Sequence, residues 1–384
     1  MKEGWEYKKL GEVCRIERGG SPRPIKDFIT NSPDGLNWIK IGDTDPQGKY
    51  IYSTKEKIKP EGLRKSRWVE VDDFLLSNSM SFGRPYILKT NGCIHDGWLV
   101  LRDYQNSLII DYFYYLLISP HVQNQFRTKA QGSTVSNLNT DRVADVNIAF
   151  PPLSEQQSIV DYLDSAFAKI DAMKANAEKA LNEAKALFQA SLKEMLEPKE
   201  GWEEKELKEI CKVINGRAYS KDEMLKQGKY RLLRVGNFFT NDSWYYSDLE
   251  LEEDKYCDNG DLLYAWSASF GPRIWDGEKV IYHYHIWKMV CSEKIDKYFM
   301  CYWLDSDKLK KQTMTNLHGA TMAHITKGII EAAHVRFPSL SEQQTIVDTL
   351  DSLKSKVDKL QENYDKISQE CDALKQAILR QVFE

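Results

Sequence analysis

The sequence lacks any long hydrophobic run. No apolar stretch of this 384-residue chain reaches the roughly 18 residues that a membrane-spanning helix needs. Its first residues, MKEGWEYKKL, lack the apolar core of a secretory signal peptide. The seven cysteines form no C-x-x-C pair, and their odd number does not indicate a disulfide framework. These absences predict a cytoplasmic protein with reduced, mostly buried thiols.

Catalytic signatures are also missing. The chain has no phosphate-binding G-x-x-x-x-G-K-[ST] loop, no dinucleotide-binding G-x-G-x-x-G and no H-E-x-x-H. The Pro-Pro-aromatic motif of amino-methyltransferases is absent, because Pro151-Pro152 follows Phe150 and leads into Leu153. His283 and His285 would share one face of a strand, but they lack acidic or cysteine partners at zinc-ligand spacing. We therefore expect a chain with no enzymatic activity, metal or cofactor of its own.

Strong positive charge is absent as well. The formal net charge is −4, with +3 on residues 1–153 and −1 on residues 198–340. The intervening segment 154–197 and the final segment 341–384 each carry −3. Many DNA-binding domains are clearly basic, so any grip on phosphates must come from local clusters of cations or from a basic partner.

The most informative feature that is present is an internal repeat. Residues 150–165 read FPPLSEQQSIVDYLDS and residues 337–352 read FPSLSEQQTIVDTLDS, with 13 of 16 positions identical. A duplicated framework predicts internal two-fold symmetry, and such a molecule can bind a ligand with two halves, as DNA has. Shorter matches extend the repeat: Gly4-Trp5-Glu6 with Gly201-Trp202-Glu203, and Gly132-Ser133-Thr134 with Gly319-Ala320-Thr321.

Each repeated block opens a segment with coiled-coil periodicity. Apolar residues recur at alternating spacings of four and three from Ile346 to Ile378, through Leu374. The first segment, from Ile159 through Met173 to Met195, follows the same spacing with one slip. Each predicted helix has about 43 residues and a length of about 64 Å. We expect the two helices to pair antiparallel; the alternative is that each packs on its own domain.

A capping box is predicted at the start of each helix. Ser154 and Ser341 precede the helical pattern, and Gln157 and Gln344 follow three residues later. In such a box the serine side-chain oxygen accepts from a backbone amide of the first turn, and the glutamine side chain accepts from the backbone amide of the serine.

Between these helices the sequence alternates short β-rich runs with turn residues, which predicts α+β domains that each contain a curved mixed sheet. One longer strand is predicted over Ile281–Val290, and continuous helices are predicted over Asp111–Arg127 and Lys297–Thr313. The predicted domain order is globular 1–153, helix 154–197, globular 198–340 and helix 341–384.

Taken together, these features resemble the specificity subunit of a Type I restriction–modification enzyme. The resemblance covers essentially the whole chain and rests on the duplicated P-x-L-S-E-Q-Q-x-I-V-x-x-L-D motif at 151–164 and 338–351. It implies two target-recognition domains that each read half of a split DNA site, separated by a helical spacer. It also implies partners: methyltransferase subunits that use S-adenosylmethionine, and an endonuclease subunit that uses ATP and Mg²⁺.

Candidate DNA contacts are polar, cationic or aromatic residues in matching loops of the two copies, because such side chains can reach bases and phosphates. In the first copy they are Lys40, Arg64, Lys65, Arg67, Asn78, Ser79, Ser81, Arg84, His95 and Thr134. In the second copy they are Arg234, Asn237, Trp266, Ser267, Ser269, Arg273, His283, His285 and Thr321.

Two other classes of protein remain open at this point. One is a coiled-coil scaffold that joins protein partners without touching DNA. The other is a self-contained methyltransferase, which the missing catalytic motif disfavours. Adenine methylation at one split sequence, dependent on this chain, distinguishes DNA recognition from the scaffold.

Overall fold

The computed structural model describes residues 4–46, 48–78, 83–104, 107–130, 138–267, 269–314 and 326–384. The chain divides into two compact units, Met1–Ala177 with Asp365–Glu384, and Glu178–Tyr364. Each unit therefore contains one globular copy and stretches of both long helices. None of the described helices combines the length and the apolar character needed to span a membrane.

The first copy and its helix contain the following elements. The strands are β1 (Glu6–Lys9), β2 (Arg15–Arg18), β3 (Ile29–Thr30), β4 (Leu36–Ile39), β5 (Tyr50–Ile51), β6 (Glu56–Ile58), β7 (Arg67–Val69), β8 (Phe74–Ser77), β9 (Pro85–Leu88), β10 (Gly92–Ile94), β11 (Trp98–Arg102) and β12 (Asn147–Phe150). The α-helices are α1 (Leu10–Val13), α2 (Ile110–Ile118), α3 (Pro120–Ala130), α4 (Thr140–Ala144) and α5 (Leu153–Met195).

The second copy follows a similar order. Its strands are β13 (Glu203–Glu206), β14 (Cys211–Asn215), β15 (Tyr230–Leu233), β16 (Tyr245–Ser247), β17 (Tyr256–Cys257), β18 (Leu262–Ser267), β19 (Ser269–Ile274), β20 (Val280–Tyr282), β21 (Ile286–Cys291) and β22 (His334–Phe337). Its α-helices are α6 (Leu207–Ile210), α7 (Val235–Phe239), α8 (Lys297–Asp305), α9 (Asp307–Met314), α10 (Lys327–Glu331) and α11 (Leu340–Phe383).

The α+β class is confirmed, but each copy has two principal sheets where one was predicted. In the first copy the strand orders are β2-β11-β8-β9-β5 and β3-β6-β4-β10-β7; in the second they are β14-β21-β18-β19 and β16-β15-β20-β17. The strand pairs β1-β12 and β13-β22 join the two ends of each copy. All seven cysteines are free thiols, and five of them are buried.

The central strands are apolar on both faces because each lies between two cores. In β8, Phe74 and Leu76 enter one core while Leu75 enters another, and all three side chains are fully buried. In β18, Leu262 and Leu263 divide in the same way. Successive strand residues point to opposite faces, so these runs lack the alternation typical of a half-buried strand.

The helices predicted over 111–127 and 297–313 are each two helices. The first breaks before Pro120, whose ring cannot donate a backbone hydrogen bond within a helix. The second breaks at Ser306, where the hydroxyl donates to the carbonyl of Trp303 at 2.6 Å. Ser119 makes the same bond to Leu116 at 2.6 Å, and a hydroxyl that bonds the local backbone competes with the helix ladder.

A buried glutamine explains much of the repeated motif. The Gln156 side chain is fully buried; it accepts from the amide of Ile109 at 2.9 Å and donates to the carbonyls of Ser107 and Pro151. Gln343 is also fully buried and repeats this pattern with Asp296, Lys294 and Pro338. Each glutamine thus ties the first turn of a long helix to its own globular copy.

The predicted capping boxes, with Ser154 and Ser341 as the caps, are wrong. The side chain of Gln157 bonds Asp161 at 2.8 Å, one helical turn onward, and Gln344 bonds Asp348 at 2.9 Å. Both helices begin before the serine, at Leu153 and Leu340. The glutamine that reaches back is therefore the preceding one, because it faces the globular copy.

Gln156→Ala is expected to destabilise the first unit by about 1–3 kcal/mol, since it removes the partner of one buried and two partly buried backbone groups. Gln157→Ala is the matched control, and we expect it to change stability by about 0.5 kcal/mol or less, as an exposed substitution should. Urea denaturation of both variants measures the difference. Equal midpoints for the two variants would contradict the role assigned to the buried glutamine.

The two long helices run antiparallel in each unit, as predicted. In the first unit Asp171 pairs with Lys375 at 2.5 Å and Lys174 pairs with Asp372 at 3.7 Å. The residue numbers of the partners in α11 fall as those in α5 rise, which is the pattern of antiparallel helices. In the second unit Lys185 bonds Gln361 at 2.7 Å.

Two residues assigned to the seam are exposed. Met173 and Leu374 are 58% and 47% exposed. Ile170 and Cys371, which the same spacing places in the seam, are both buried, and the Cys371 thiol lies 3.8 Å from the Ile170 carbonyl oxygen. Lys375 lies with its ammonium 5.3 Å from the ring centroid of Phe167. The aliphatic part of a lysine side chain can cover apolar surface. Lys375 can therefore pack in the seam, one residue after the position where the spacing predicts an apolar residue.

The end of the chain completes the core of the first unit. Leu379 and Phe383 of α11 are buried in that core, and the Phe383 ring lies 5.6 Å from Tyr112. In the second unit Leu192 of α5 and Leu196, just after the end of that helix, fill the matching positions. Each globular copy is thus closed by the far end of the helix that follows the other copy.

Candidate nucleic-acid interface

In each copy the chain crosses from one sheet to the other through a turn that contains histidine. The turns are residues 95–97, between β10 and β11, and residues 283–285, between β20 and β21. His95 and His283 hold equivalent positions. The continuous strand predicted over Ile281–Val290 is therefore wrong, because its two parts pair with different neighbours in different sheets.

A cation accompanies each histidine. Strand β10 pairs in parallel with β4, which ends just before Lys40, and β20 pairs in parallel with β15, which ends just before Arg234. Neighbouring parallel strands end at the same edge of a sheet, so the cation and the histidine meet there. Lys40 and His95 both line a cavity of about 770 Å³, whose other wall includes residues 21–26.

Both histidines are held neutral. Burial is the main reason that the pKa of His95 lies below its ordinary value. Burial, together with the nearby His285 and Arg234, lowers the pKa of His283 to about 4. Both ring nitrogens of His95 lie within hydrogen-bond distance of backbone amides, Nδ1 at 2.8 Å from that of Gly97 and Nε2 at 3.2 Å from that of Ile41. At neutral pH the two rings therefore add no charge toward phosphates.

The loop after β8 is tied to the first histidine turn. Asn78 is 1% exposed, and its side-chain amide donates to the carbonyl of Asp96 at 2.9 Å. Its backbone amide donates to Gly97 at 3.0 Å. This burial assigns Asn78 to holding the turn in place. Arg84, on the far side of the same loop, is partly exposed with its guanidinium 5.5 Å from the ring of Tyr86.

The basic run before Trp68 lies beside the same turn. The Ser66 hydroxyl donates to the carbonyl of Ile94 at 2.9 Å, one residue before His95. Arg64 and Lys65 are exposed, whereas Arg67 forms an ion pair with Glu17 at 3.0 Å. Arg64 and Lys65 are therefore the cations of this run that face solvent.

In the second copy, aromatic rings surround the histidine turn. The Trp266 indole donates to the carbonyl of Tyr284 at 2.8 Å and lies 5.1 Å from the His285 ring. The His283 and His285 rings are 4.8 Å apart. The Arg234 guanidinium is exposed and lies 5.3 Å from the Tyr245 ring.

Three second-copy candidates are occupied by local bonds or buried. Arg273 donates to the carbonyl of Phe238 at 2.9 Å and to Asp276 at 2.9 Å, which ties β19 to α7. The Asn237 amide donates to two carbonyls of the loop after α7, each at 2.8 Å. Ser267 is 6% exposed, whereas Ser269 is exposed.

Four candidates, Ser79, Ser81, Thr134 and Thr321, lie outside the described residues. Within the described part of the chain, no cluster of three or more His, Cys, Asp or Glu side chains has the arrangement of a metal site. Asp96 was not among the residues predicted from the sequence; it accepts from Ser21 at 2.6 Å and pairs with Arg23 at 3.3 Å. Phe270 of β19, which is 37% exposed, was not predicted either; an aromatic residue next to glycine was the available signal.

Comparison with known proteins identifies the class. The family model described as "Type I restriction modification DNA specificity domain" matches residues 2–183 and 199–369. The MjaVIII type I restriction enzyme specificity subunit of Methanocaldococcus jannaschii is 23% identical, over 93% of this chain and 88% of that protein. The StySPI specificity subunit of Salmonella potsdam is 24% identical, over 100% of this chain and 89% of its own length.

Two solved structures share the fold. One, from work on complex assembly and conformational transition of the type I R-M system, has a TM-score of 0.79 at 19% identity and covers 99% of this chain and 97% of that one. The other, the HsdS subunit of Thermoanaerobacter tengcongensis, has a TM-score of 0.60 at 20% identity and covers 100% and 97%.

The chain belongs to the Type I restriction modification DNA specificity domain family, which its two copies match in turn. It has the role of this family, that of a DNA-recognition subunit which is not itself catalytic. The comparisons offer no support for the DNA-free scaffold.

Proposed function

We propose that this chain reads a split DNA site with one globular copy per half-site. The observation that carries the proposal is the duplicated pairing of a cation with a neutral histidine, Lys40 with His95 and Arg234 with His283. Each pair lies where two parallel strands end, next to exposed loops that differ between the copies. A shared scaffold with different loops is suited to two different half-sequences.

Phosphate binding is expected to be stronger in the first copy. Its residues 1–153 carry a net charge of +3, against −1 for residues 198–340, and Arg64 and Lys65 are exposed beside its histidine turn. Contacts to phosphates supply much of the affinity for DNA without specifying sequence. The second copy then depends more on direct contacts to bases.

The helix pair offers a surface for the methyltransferase subunits. In the first unit Tyr162, Met173 and Leu374 are 52%, 58% and 47% exposed and line a groove of about 350 Å³. Exposed apolar patches of this kind favour protein contacts. The methyltransferase subunit would bind S-adenosylmethionine, and the endonuclease subunit would use ATP and Mg²⁺; this chain supplies the DNA sequence preference.

Reconstitution with the methyltransferase subunit of the same system tests the function. Methylome sequencing of a host that expresses both chains should show adenine methylation at one split sequence, and neither chain alone should produce it. The isolated chain, supplied with S-adenosylmethionine and DNA, should transfer no methyl group. A complex that forms but modifies no defined sequence would favour the scaffold instead.

Single-arginine variants should affect one half-site each. Arg84→Ala is expected to relax or weaken only the first half-site, and Arg234→Ala only the second, because losing one bidentate base contact typically costs about 1–3 kcal/mol. Lys40 is assigned to the first half-site. Arg273 is assigned to the second half-site, where its bonds to Phe238 and Asp276 make it a residue that positions the hairpin.

Arg127→Ala and Arg336→Ala are the matched controls, one exposed arginine in each unit outside the candidate loops. Methylation of a randomised-site library measures specificity at each position. Equal loss of discrimination in both halves, or no change in either, would show that the assignment is wrong.

A further inference from the structure

Among the described residues, the hairpin of β18 and β19 has more paired positions than its counterpart in the first copy. Six residue pairs join its strands, from Leu262 with Ile274 to Ser267 with Ser269. The corresponding strands β8 and β9 have four residues each and are separated by residues 78–84. Strand β19 is also an edge strand of its sheet. The second copy therefore presents an extended two-stranded ribbon at this place.

The end of this hairpin is aromatic and exposed. Phe270 lies directly opposite Trp266 in the register and is 37% exposed. Two contacts hold Trp266 in position. Its ring stacks on that of Trp287, with the centroids 5.6 Å apart, and its indole N–H donates to the carbonyl of Tyr284. Phe270 is thus an exposed apolar side chain on a rigid support, which places it well for a contact with a ligand.

The surrounding charges favour an apolar contact with DNA bases. The second copy carries a net charge of −1, and the Arg273 guanidinium is already bonded to Phe238 and Asp276. The exposed Arg234, against Tyr245, supplies a cation at the neighbouring strand end. At this hairpin Arg273 is thus occupied while Arg234 is exposed, so we expect base contacts to supply more of the recognition here.

We propose that the β18–β19 hairpin enters the major groove of the second half-site and that Phe270 contacts the C5-methyl group of a thymine. A two-stranded ribbon fits the major groove, and the thymine methyl is the apolar group that base pairs display there. The inference rests on the proposed function and adds to it one specificity-determining residue and the chemical group that it reads.

The test replaces thymidine with deoxyuridine, which lacks only the methyl group, one position at a time in the site found by methylome sequencing. With the unmodified complex, one replacement in the second half-site should weaken binding about fourfold, as expected for losing one buried methyl-sized group. With Phe270→Ala, the two duplexes should bind equally. Tyr298→Ala, a 41% exposed aromatic of α8 in the same unit, should retain the fourfold difference.

Three results would overturn the inference: a second half-site without an A·T pair, no deoxyuridine effect in that half, or an undiminished effect with Phe270→Ala. The deoxyuridine comparison with the unmodified complex needs no variant, so a folding defect cannot obscure it. Methylation of the mapped site by the unmodified complex reports on the proposed function independently. The function can therefore stand while this inference fails.

Discussion

Inserting one heptad into both long helices is expected to widen the gap between the two half-sites. Seven residues add about 10 Å at 1.5 Å each, and DNA rises about 3.4 Å per base pair, so the gap should grow by up to about three base pairs. A suitable place is the first unit, beside Lys174 in α5 and Asp372 in α11, which form an ion pair. A heptad inserted in both helices preserves the seam.

The control is a four-residue insertion at Lys174 alone, which should disrupt the register and destabilise the helix pair. Methylome sequencing of each variant complex gives the preferred gap. Because the reading domains must stay in phase with the DNA groove, an increase of one or two base pairs also supports the prediction. A double-heptad variant that stays folded and active, yet modifies only the original spacing, would show that the helices do not measure the gap.

Phe383→Ala is expected to destabilise the first unit by about 3–5 kcal/mol, the usual cost of removing a buried phenylalanine ring. Phe383 is 2% exposed and belongs to the core of that unit, although it is the penultimate residue of the chain. The second unit should be unaffected, because its matching position is filled by Leu196. Deleting residues 379–384 should have a larger effect, since it also removes the buried Leu379.

Hydrogen exchange measured by mass spectrometry separates the two units. Peptides of residues 98–118 should lose protection in Phe383→Ala, while peptides of residues 262–274 should keep it. Leu374→Ala, at a 47% exposed position of the same helix, is the control and should change neither set. Uniform loss of protection in both units, or no loss in either, would contradict the assignment of the chain end to the first core.

The repeat and the long helices could be predicted because both are local signals. Heptad spacing is visible in the sequence, and the structure has helices Leu153–Met195 and Leu340–Phe383 where it occurs. The predictions that were wrong concern which of several nearby residues faces the core, because tertiary contacts determine that. Gln156 rather than Gln157 faces the globular copy, and Met173 is exposed where the spacing alone placed it in the seam.

The candidate interface was predictable only in part. The repeat correctly predicted that Lys40 and Arg234 occupy equivalent positions in the two copies. Only the parallel strand pairs show that each of these cations lies next to a histidine. Burial separated Asn78 and Ser267, which are 1% and 6% exposed, from Arg84 and Ser269 in the same loops. Which of two polar neighbours faces outward depends on strand register, and the composition of a loop does not encode register.

The sequence by itself determined the duplication, the order of globular copies and helices, and the family, because these depend on patterns within short stretches of chain. Only the tertiary structure decided how each copy is completed: two sheets joined at a histidine turn, and a core closed by the end of the other copy's helix. Leu379 and Phe383 lie more than 200 residues along the chain from the core that they fill. Contacts at such separations leave no periodic signal, so they become visible only when the folded chain brings the residues together.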